Sequence, residues 1–414
     1  MSRALPVSMA VVATGTVIAQ LINILGFMVA TRFLEPSEFG MFGIHMAISA
    51  PLALLATGRY EVAFIRAEHP AKVINLFTLS ISAAFVFTAV IGPILAVIFS
   101  MTNWASNLSV PLICGLLLGQ AVVNCTTQLN NYNRSYQLIS ASRIVGAVGA
   151  QAGVLLLIWA NAGHYSLGIG MIVGFVLSAV VSMAGNSGWL RACIGTISLS
   201  RISVLARRNL SYIFFNGPQA LASALQESAA VAVISAFFGH NVTGVYVFSN
   251  RLMRAPISIV AESVGRVLQR KFGDMGNDSH EERARFLRAS ILYLSVFAII
   301  FCVATWLLAK PVVVLLFSSE WEPLGDFIRA SSPYYAIYLV AAALAPIPFA
   351  TGNYRKTSLL GTIGSAVYVI LLAIVGAFTN DLPSAFMIIS FGMLLYFSAF
   401  IYTIYVSVIE RNTP

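Results

Sequence analysis

Long apolar segments recur along this chain, and they decide what it can fold into. Each approaches or exceeds the roughly 20 residues that an α-helix needs to cross about 30 Å of hydrocarbon. Only 9% of the 414 residues are charged, against about 25% in soluble domains. The sequence therefore predicts an all-α polytopic membrane protein with twelve transmembrane helices: Met9–Arg32, Met41–Gly58, Val73–Phe99, Val110–Asn130, Ile144–Ala160, Leu167–Ala184, Tyr212–Phe238, Val242–Val264, Ala289–Leu308, Phe327–Phe349, Leu359–Phe378 and Ala385–Val408.

The 24 basic residues favour one side of this predicted membrane protein. Nineteen lie at the termini or in loops that follow even-numbered helices, whereas loops after odd-numbered helices hold only Arg32 and Lys310, with Arg329 just inside the boundary. Basic residues concentrate on the cytoplasmic side of membrane proteins. We therefore expect both termini in the cytoplasm. The net charge of +9 would suggest a nucleic-acid partner in a soluble protein, but the positions of the basic residues on one side of a membrane protein predict none.

Two pairs of segments repeat about half a chain apart. Residues 93–104 resemble residues 311–321, and residues 33–43 resemble residues 237–247, so that Gly40 matches Gly244. A repeat of six helices keeps both halves in the same orientation, which predicts two six-helix bundles related by a pseudo-two-fold axis along the membrane normal. Chance recurrence of proline and tryptophan at helix ends is the alternative.

The repeat also predicts the domain boundaries. We place an N-terminal bundle at residues 1–190, a cytoplasmic linker at residues 191–211 and a C-terminal bundle at residues 212–414. Within the linker region, residues 200–209 are basic and partly amphipathic, which favours a helix on the inner membrane surface over a partner site.

Two arginines lie in the middle of the predicted eighth helix. At 1.5 Å per residue, Arg251 is roughly 13 Å and Arg254 roughly 18 Å from the outer end of this helix. A charge at such depth costs several kcal/mol and usually faces a cavity or a partner. Because guanidinium groups match phosphate oxygens in bidentate geometry, the pair predicts a binding site for an anionic substrate.

A carboxylate at similar depth offers a competing explanation. Glu227 lies on the predicted seventh helix, level with the two arginines. A Glu227–Arg251 ion pair would lock the two helices together without any role in binding. One carboxylate cannot neutralise two arginines, so a surplus positive charge would remain. Glu227 is also a candidate for exchanging its arginine partner for a proton or a cation.

Amide side chains form weaker polar stripes on two other helices. Gln20 and Asn23 share a face of the first helix, and Asn216 and Gln219 share a face of the seventh. These residues are candidates for substrate binding, with interhelical hydrogen bonding as the alternative role. Arg59, near the cytoplasmic end of the second helix, would either reach the lipid headgroups or stand at the mouth of a cavity.

The segments between the helices argue against enzymatic activity. The outer loops are too short for a catalytic domain, and no GxxxxGK[ST] phosphate-binding loop is present. We therefore expect a secondary carrier with no metal site and no cofactor; coupling to H⁺ or Na⁺ is open.

Four motifs resemble a known family. The sequence GRYEVAFIRAEHPAKVINLFTL starts at Gly58, NYNRSYQLISASRIV at Asn131 and GHNVTGVYVFSNRLMRAPISIV at Gly239, and FLEPSEFG starts at Phe33. In their order along the chain, these motifs resemble those of polysaccharide biosynthesis proteins. These are the Wzx-type lipid-linked oligosaccharide flippases of the multidrug/oligosaccharidyl-lipid/polysaccharide exporter superfamily.

The resemblance implies a function and a location. Such proteins flip a polyprenyl-pyrophosphate-linked oligosaccharide across the bacterial cytoplasmic membrane by alternating access, for O-antigen, exopolysaccharide or capsule assembly. Their cationic cavities match Arg251 and Arg254 by position, and Arg59 less closely. The expected partners are the lipid-linked substrate, membrane lipids and the polysaccharide polymerase machinery, with a monomeric carrier. The alternatives are an ion-coupled multidrug exporter of the same superfamily and a membrane polysaccharide polymerase or glycosyltransferase.

Overall fold

The structure is a computed structural model of the chain and describes residues 4–101, 108–208, 217–275, 280–348, 354–379 and 381–409. The regular elements in these ranges are helices. We number the α-helices α1 Ala4–Ala30, α2 Pro36–Ala56, α3 Pro70–Met101, α4 Val110–Tyr132, α5 Tyr136–Trp159, α6 Tyr165–Gly185, α7 Ser187–Cys193, α8 Leu199–Arg208, α9 Gly217–Asp274, α10 His280–Leu316, α11 Glu322–Leu344, α12 Tyr354–Phe378 and α13 Leu382–Ile409.

Ten helices in the described ranges are long and apolar enough to cross a membrane, against the twelve predicted. One difference lies in α9, which joins the predicted seventh and eighth helices in one run. Gly239 breaks that run with φ 79° and ψ 179°, a conformation that glycine adopts most readily. The predicted tenth helix is present as α11 but is not among these ten; it carries Glu322, Asp326 and Arg329 in its first turns, followed by three tyrosines.

The chain divides into two compact units. The first comprises Met1–Leu34 and Met41–Ser228, and the second comprises Glu35–Gly40 and Ala229–Pro414. In the first unit, α5 and α6 approach closely through glycines. A Cβ on Gly174 would crowd Ala150 and the Gly146 carbonyl oxygen, so only a glycine fits. Small residues allow such contacts between membrane helices, where apolar burial alone gives little driving force.

An aromatic cluster forms part of the core of the second unit. Trp321 is fully buried, with its ring centroid 4.9 Å from that of Phe39 and 5.2 Å from that of Phe248. Edge-to-face aromatic pairs of this kind contribute about 0.5–1.5 kcal/mol each beyond the area they bury. The cluster joins the start of α2 to α9 and to the segment before α11.

Candidate functional site

A polar stripe on α9 faces α11 and α12 in the second unit. Tyr246, Asn250 and Arg254 follow each other at steps of four, which places them on one face of the helix. The Tyr246 hydroxyl oxygen lies 3.3 Å from that of Tyr368 on α12. The Tyr335 hydroxyl donates to Oδ1 of Asn250 at 3.0 Å. The first two residues of the stripe thus each meet a tyrosine.

Arg254, the third residue of the stripe, lies against more tyrosines. Its guanidinium carbon is 5.8 Å from the ring centroid of Tyr338, and its side chain is hydrogen-bonded with Tyr334. The hydroxyls of Tyr335 and Tyr368 also interact electrostatically with the Arg254 guanidinium. We call Tyr334, Tyr335, Tyr338 and Tyr368 the tyrosine cluster. Neutral phenols hydrogen-bond and stack on a guanidinium without cancelling its charge, so they orient a cation within an apolar helix bundle.

The tyrosine cluster is well packed. Tyr334 stacks on Tyr368 with a centroid distance of 5.6 Å and on Tyr338 with a distance of 6.1 Å. Tyr334, Tyr335 and Tyr368 are buried, and Tyr338 is half-buried. Because few rotamers are open to such packed rings, their hydroxyls are held in place.

The other residues predicted on α9 lie elsewhere. Arg251 is half-buried in the second unit, one residue beyond Asn250, whereas Glu227 is exposed and belongs to the first unit. The Glu227–Arg251 ion pair therefore stays a prediction. Asn216 lies outside the described residues. Gln219 lies on the first turn of α9, where the structure gives its backbone only.

The predicted stripe on α1 faces α5. Oδ1 of Asn23 accepts a hydrogen bond of 3.0 Å from Nε2 of Gln151, and Thr16 accepts one from Arg143. Asn23 thus makes the interhelical hydrogen bond that was the alternative to substrate binding, and Thr16 makes a similar one. Gln20 lies between them on the same face, and its Oε1 is buried with no hydrogen-bond partner among the described residues. Of the α1 residues, Gln20 keeps unused hydrogen-bonding capacity.

Arg59 pairs with Glu61, which was not among the predicted site residues. It adopts a left-handed conformation, with φ 57°, at the start of the 3₁₀ helix Tyr60–Arg66. Its Nη1 lies 3.5 Å from Oε1 of Glu61, and the Glu61 side chain is only 4% exposed. Tyr60 lies between these two residues in the sequence. Burial raises the pKa of its phenol, which therefore stays neutral. Arg59 is therefore anchored by a buried carboxylate instead of extending freely.

The structure offers no metal site in the ranges it describes: no group of three or more His, Cys, Asp or Glu side chains there is arranged to hold an ion. The ring of His45 on α2 has hydrogen-bond partners at both nitrogens. Its Nδ1 lies 2.7 Å from the Met41 carbonyl oxygen, and its Nε2 accepts a hydrogen bond of 3.1 Å from the Ser109 amide. This pattern requires the neutral ring.

Comparisons with known proteins agree with this helical architecture. A family model described as "Polysaccharide biosynthesis protein" matches residues 29–325. The succinoglycan biosynthesis transport protein ExoT of Rhizobium meliloti (strain 1021) is 25% identical over 304 residues, which are 71% of this chain but only 58% of ExoT.

Two solved structures show the same fold at low sequence identity. The lipid II flippase MurJ in an inward closed conformation aligns with a TM-score of 0.70 and 14% identity, covering 95% of this chain and 87% of MurJ. An inward-facing multidrug resistance MATE family transporter of the MOP superfamily aligns with a TM-score of 0.66 and 13% identity, covering 95% of both chains. The all-α membrane fold predicted from the apolar segments is thereby confirmed.

Proposed function

Since this chain belongs to the polysaccharide biosynthesis protein family, we propose that it flips a polyprenyl-pyrophosphate-linked oligosaccharide across the bacterial cytoplasmic membrane. The proposed mechanism is alternating access, and the product would serve O-antigen, exopolysaccharide or capsule assembly. The transporter fold and the names of ExoT and MurJ support this assignment. The protein acts as a carrier and not as an enzyme.

The surroundings of Arg254 are the main support for this proposal. A guanidinium in a membrane-length helix is costly, and such residues mark substrate paths. Arg254 lies against phenols that hold it in position, and Arg251 lies one turn away on the same helix. Two guanidinium groups supply enough donors for the oxygens of a pyrophosphate, and their fork geometry favours bidentate contacts.

The remaining predicted residues take supporting roles in this proposal. Gln20, with its unused amide oxygen, would accept hydrogen bonds from sugar hydroxyls. Arg59, held by Glu61, would meet the headgroup as it enters from the cytoplasmic side. The polyprenyl chain stays in the lipid throughout, because its transfer into a polar site would forfeit about 0.8 kcal/mol per CH₂ group.

The test is transport in proteoliposomes that contain labelled lipid-linked oligosaccharide. Arg254→Ala removes the charge, and Arg254→Lys keeps the charge but removes the fork. We expect at least a tenfold loss of flipping rate in the alanine variant and a smaller loss in the lysine variant. Full activity of Arg254→Ala would overturn the assignment.

Arg266→Ala is the matched control, because it also removes one arginine from α9. Arg266 is exposed and donates to Glu262 at 2.7 Å, as an ordinary surface pair of the i, i+4 type. Such pairs contribute little to stability. We therefore expect the control to flip at the rate of the unchanged protein.

A further inference from the structure

Almost all the net charge of the chain belongs to one of its two units. The first unit contains 11 basic and three acidic residues, whereas the second contains 13 basic and 12 acidic residues. No acidic residue occurs between Glu68 and Glu227. The basic residues of the first unit in that interval therefore have no carboxylate from the same stretch to offset them.

Four of these arginines lie on the α7–α8 segment. The two short helices are bent by 97° relative to each other, and both belong to the first unit. Arg191 lies on α7, and Arg201, Arg207 and Arg208 lie on α8. All four side chains are exposed. They form a basic surface that no acidic residue of the segment interrupts.

The segment is fixed to the membrane helices at the end where α3 begins. Asn75 of α3 is fully buried and clamps the turn before α8: its Nδ2 donates to the Thr196 carbonyl oxygen at 3.0 Å, and its Oδ1 accepts from the Ser198 amide at 2.9 Å. Asn133, just after α4, donates to Oδ1 of Asn186 at 2.8 Å. The distribution of basic residues predicts that this end faces the cytoplasm.

Large apolar side chains are exposed beside the arginines. Leu199 is 85% exposed, Ile194 is 64% exposed, and Ile197 lies between them on the surface. Leu205, in contrast, packs against the core cluster around Phe64 and Leu76. Some apolar residues of the segment thus pack against the helix bundle, whereas others are exposed on the protein surface. Exposed apolar residues next to basic ones are typical of segments at a membrane interface.

We propose that the α7–α8 segment is a docking surface for anionic phospholipid headgroups of the inner leaflet. Arg191, Arg201, Arg207 and Arg208 would contact the phosphates, and Ile194 and Leu199 would enter the acyl boundary. Charge complementarity favours this occupant, because a surface with four arginines and no carboxylate matches an anionic leaflet. The inference does not depend on the substrate that the protein carries.

The first experiment titrates phosphatidylglycerol into the full-length protein in neutral detergent and follows its thermal unfolding midpoint, with phosphatidylcholine for comparison. We expect phosphatidylglycerol to raise the midpoint and phosphatidylcholine to leave it nearly unchanged. In R201Q/R207Q/R208Q, the apparent affinity for phosphatidylglycerol should fall more than tenfold, because each basic residue near an anionic surface contributes about fivefold. Equal affinity in this variant and the unchanged protein would overturn the proposal.

The matched control removes three exposed basic residues from the second unit, in K271Q/R285Q/R288Q. Glu281 and Glu282 are close in sequence to two of these residues, so the control changes net charge equally but starts from a balanced surface. Its affinity for phosphatidylglycerol should stay within twofold of the unchanged protein. An equal loss in both triple variants would show a general charge effect and contradict a localised surface.

Two further measurements separate lipid from other ligands. Inorganic phosphate at the same concentration should give no stabilisation; an equal shift would assign the surface to free anions. A photoreactive benzoylphenylalanine at Leu199 should cross-link to lipid in membranes that contain phosphatidylglycerol. Cross-linking of this position to protein alone would assign the surface to a protein partner and overturn the proposal.

Discussion

Gly40 and Gly244 make reciprocal contacts in the second unit. A Cβ on Gly40 would overlap the carbonyl oxygen of His240, and a Cβ on Gly244 would overlap the carbonyl oxygen of Pro36. In the internal repeat, Gly40 matches Gly244 and Pro36 matches His240. Two equivalent positions of the repeat therefore meet by the same contact in both directions, as expected for elements related by a local two-fold axis.

Alanine at either glycine should destabilise the second unit. The added methyl group would meet backbone atoms, which cannot move as a flexible side chain can, so we expect a loss of about 1–3 kcal/mol for Gly40→Ala or Gly244→Ala. Thermal unfolding in detergent measures this effect. Gly361→Ala is the control: nothing lies within 4 Å of its Cβ position, and alanine favours the helix, so the midpoint should hold or rise. Unchanged unfolding in all three variants would refute the close contact.

The ring of Tyr338 should matter to transport more than its hydroxyl. Phenylalanine at this position keeps the aromatic face beneath Arg254, whereas leucine removes it. Since a cation–π contact contributes about 0.5–2 kcal/mol, we expect Tyr338→Leu to lower the flipping rate about twofold to thirtyfold and Tyr338→Phe to lower it less than twofold. Equal rates in the two variants would mean that the ring does not position the arginine.

Glu61→Gln should destabilise the first unit, because Arg59 would keep its charge in a half-buried position without the carboxylate. We expect a loss of about 1–3 kcal/mol in unfolding experiments. The double variant Arg59→Gln, Glu61→Gln should recover part of that loss, since it removes both members of the pair. A double variant as unstable as the sum of the single variants would argue against coupling between the two residues.

Glu227→Gln distinguishes the proposed flippase from an ion-coupled exporter. If an anionic substrate binds the arginines of α9, transport should depend on Arg254 more strongly than on Glu227. We expect Glu227→Gln to retain at least a third of the flipping rate under conditions in which Arg254→Ala loses most of it. An exporter that relies on a membrane carboxylate would show the opposite order, with activity lost in Glu227→Gln and kept in Arg254→Ala.

The sequence alone predicted the helical architecture because apolar length and charge bias are one-dimensional signals. Within the described ranges, ten helices pass as membrane spans, and the predicted seventh and eighth helices are joined in one run through Gly239. Helix α11 departs from the prediction for a related reason. It is not among those ten, and the three tyrosines that lower its hydropathy belong to the cluster around Arg254, so the loss of apolar signal coincides with a polar environment.

The partners of the predicted arginines could not be read from the sequence in the same way. Tyr334, Tyr335 and Tyr338 lie about 80 residues beyond Arg254, and their spacing is also compatible with an ordinary packed helix face. Glu61 lies much closer in sequence to its partner, two residues after Arg59. Its burial depends on the 3₁₀ turn that follows the left-handed Arg59, and that turn has no clear periodic signature.

Measurements of direct binding test whether Arg254 holds the pyrophosphate of the substrate. The dissociation constants of polyprenyl pyrophosphate and polyprenyl monophosphate would be measured for the protein in nanodiscs, with Arg254→Ala and the control Arg266→Ala. We expect the unchanged protein and the control to prefer the pyrophosphate, and Arg254→Ala to bind it at least tenfold more weakly. Equal affinity of Arg254→Ala and the unchanged protein for the pyrophosphate would rule out this role of Arg254.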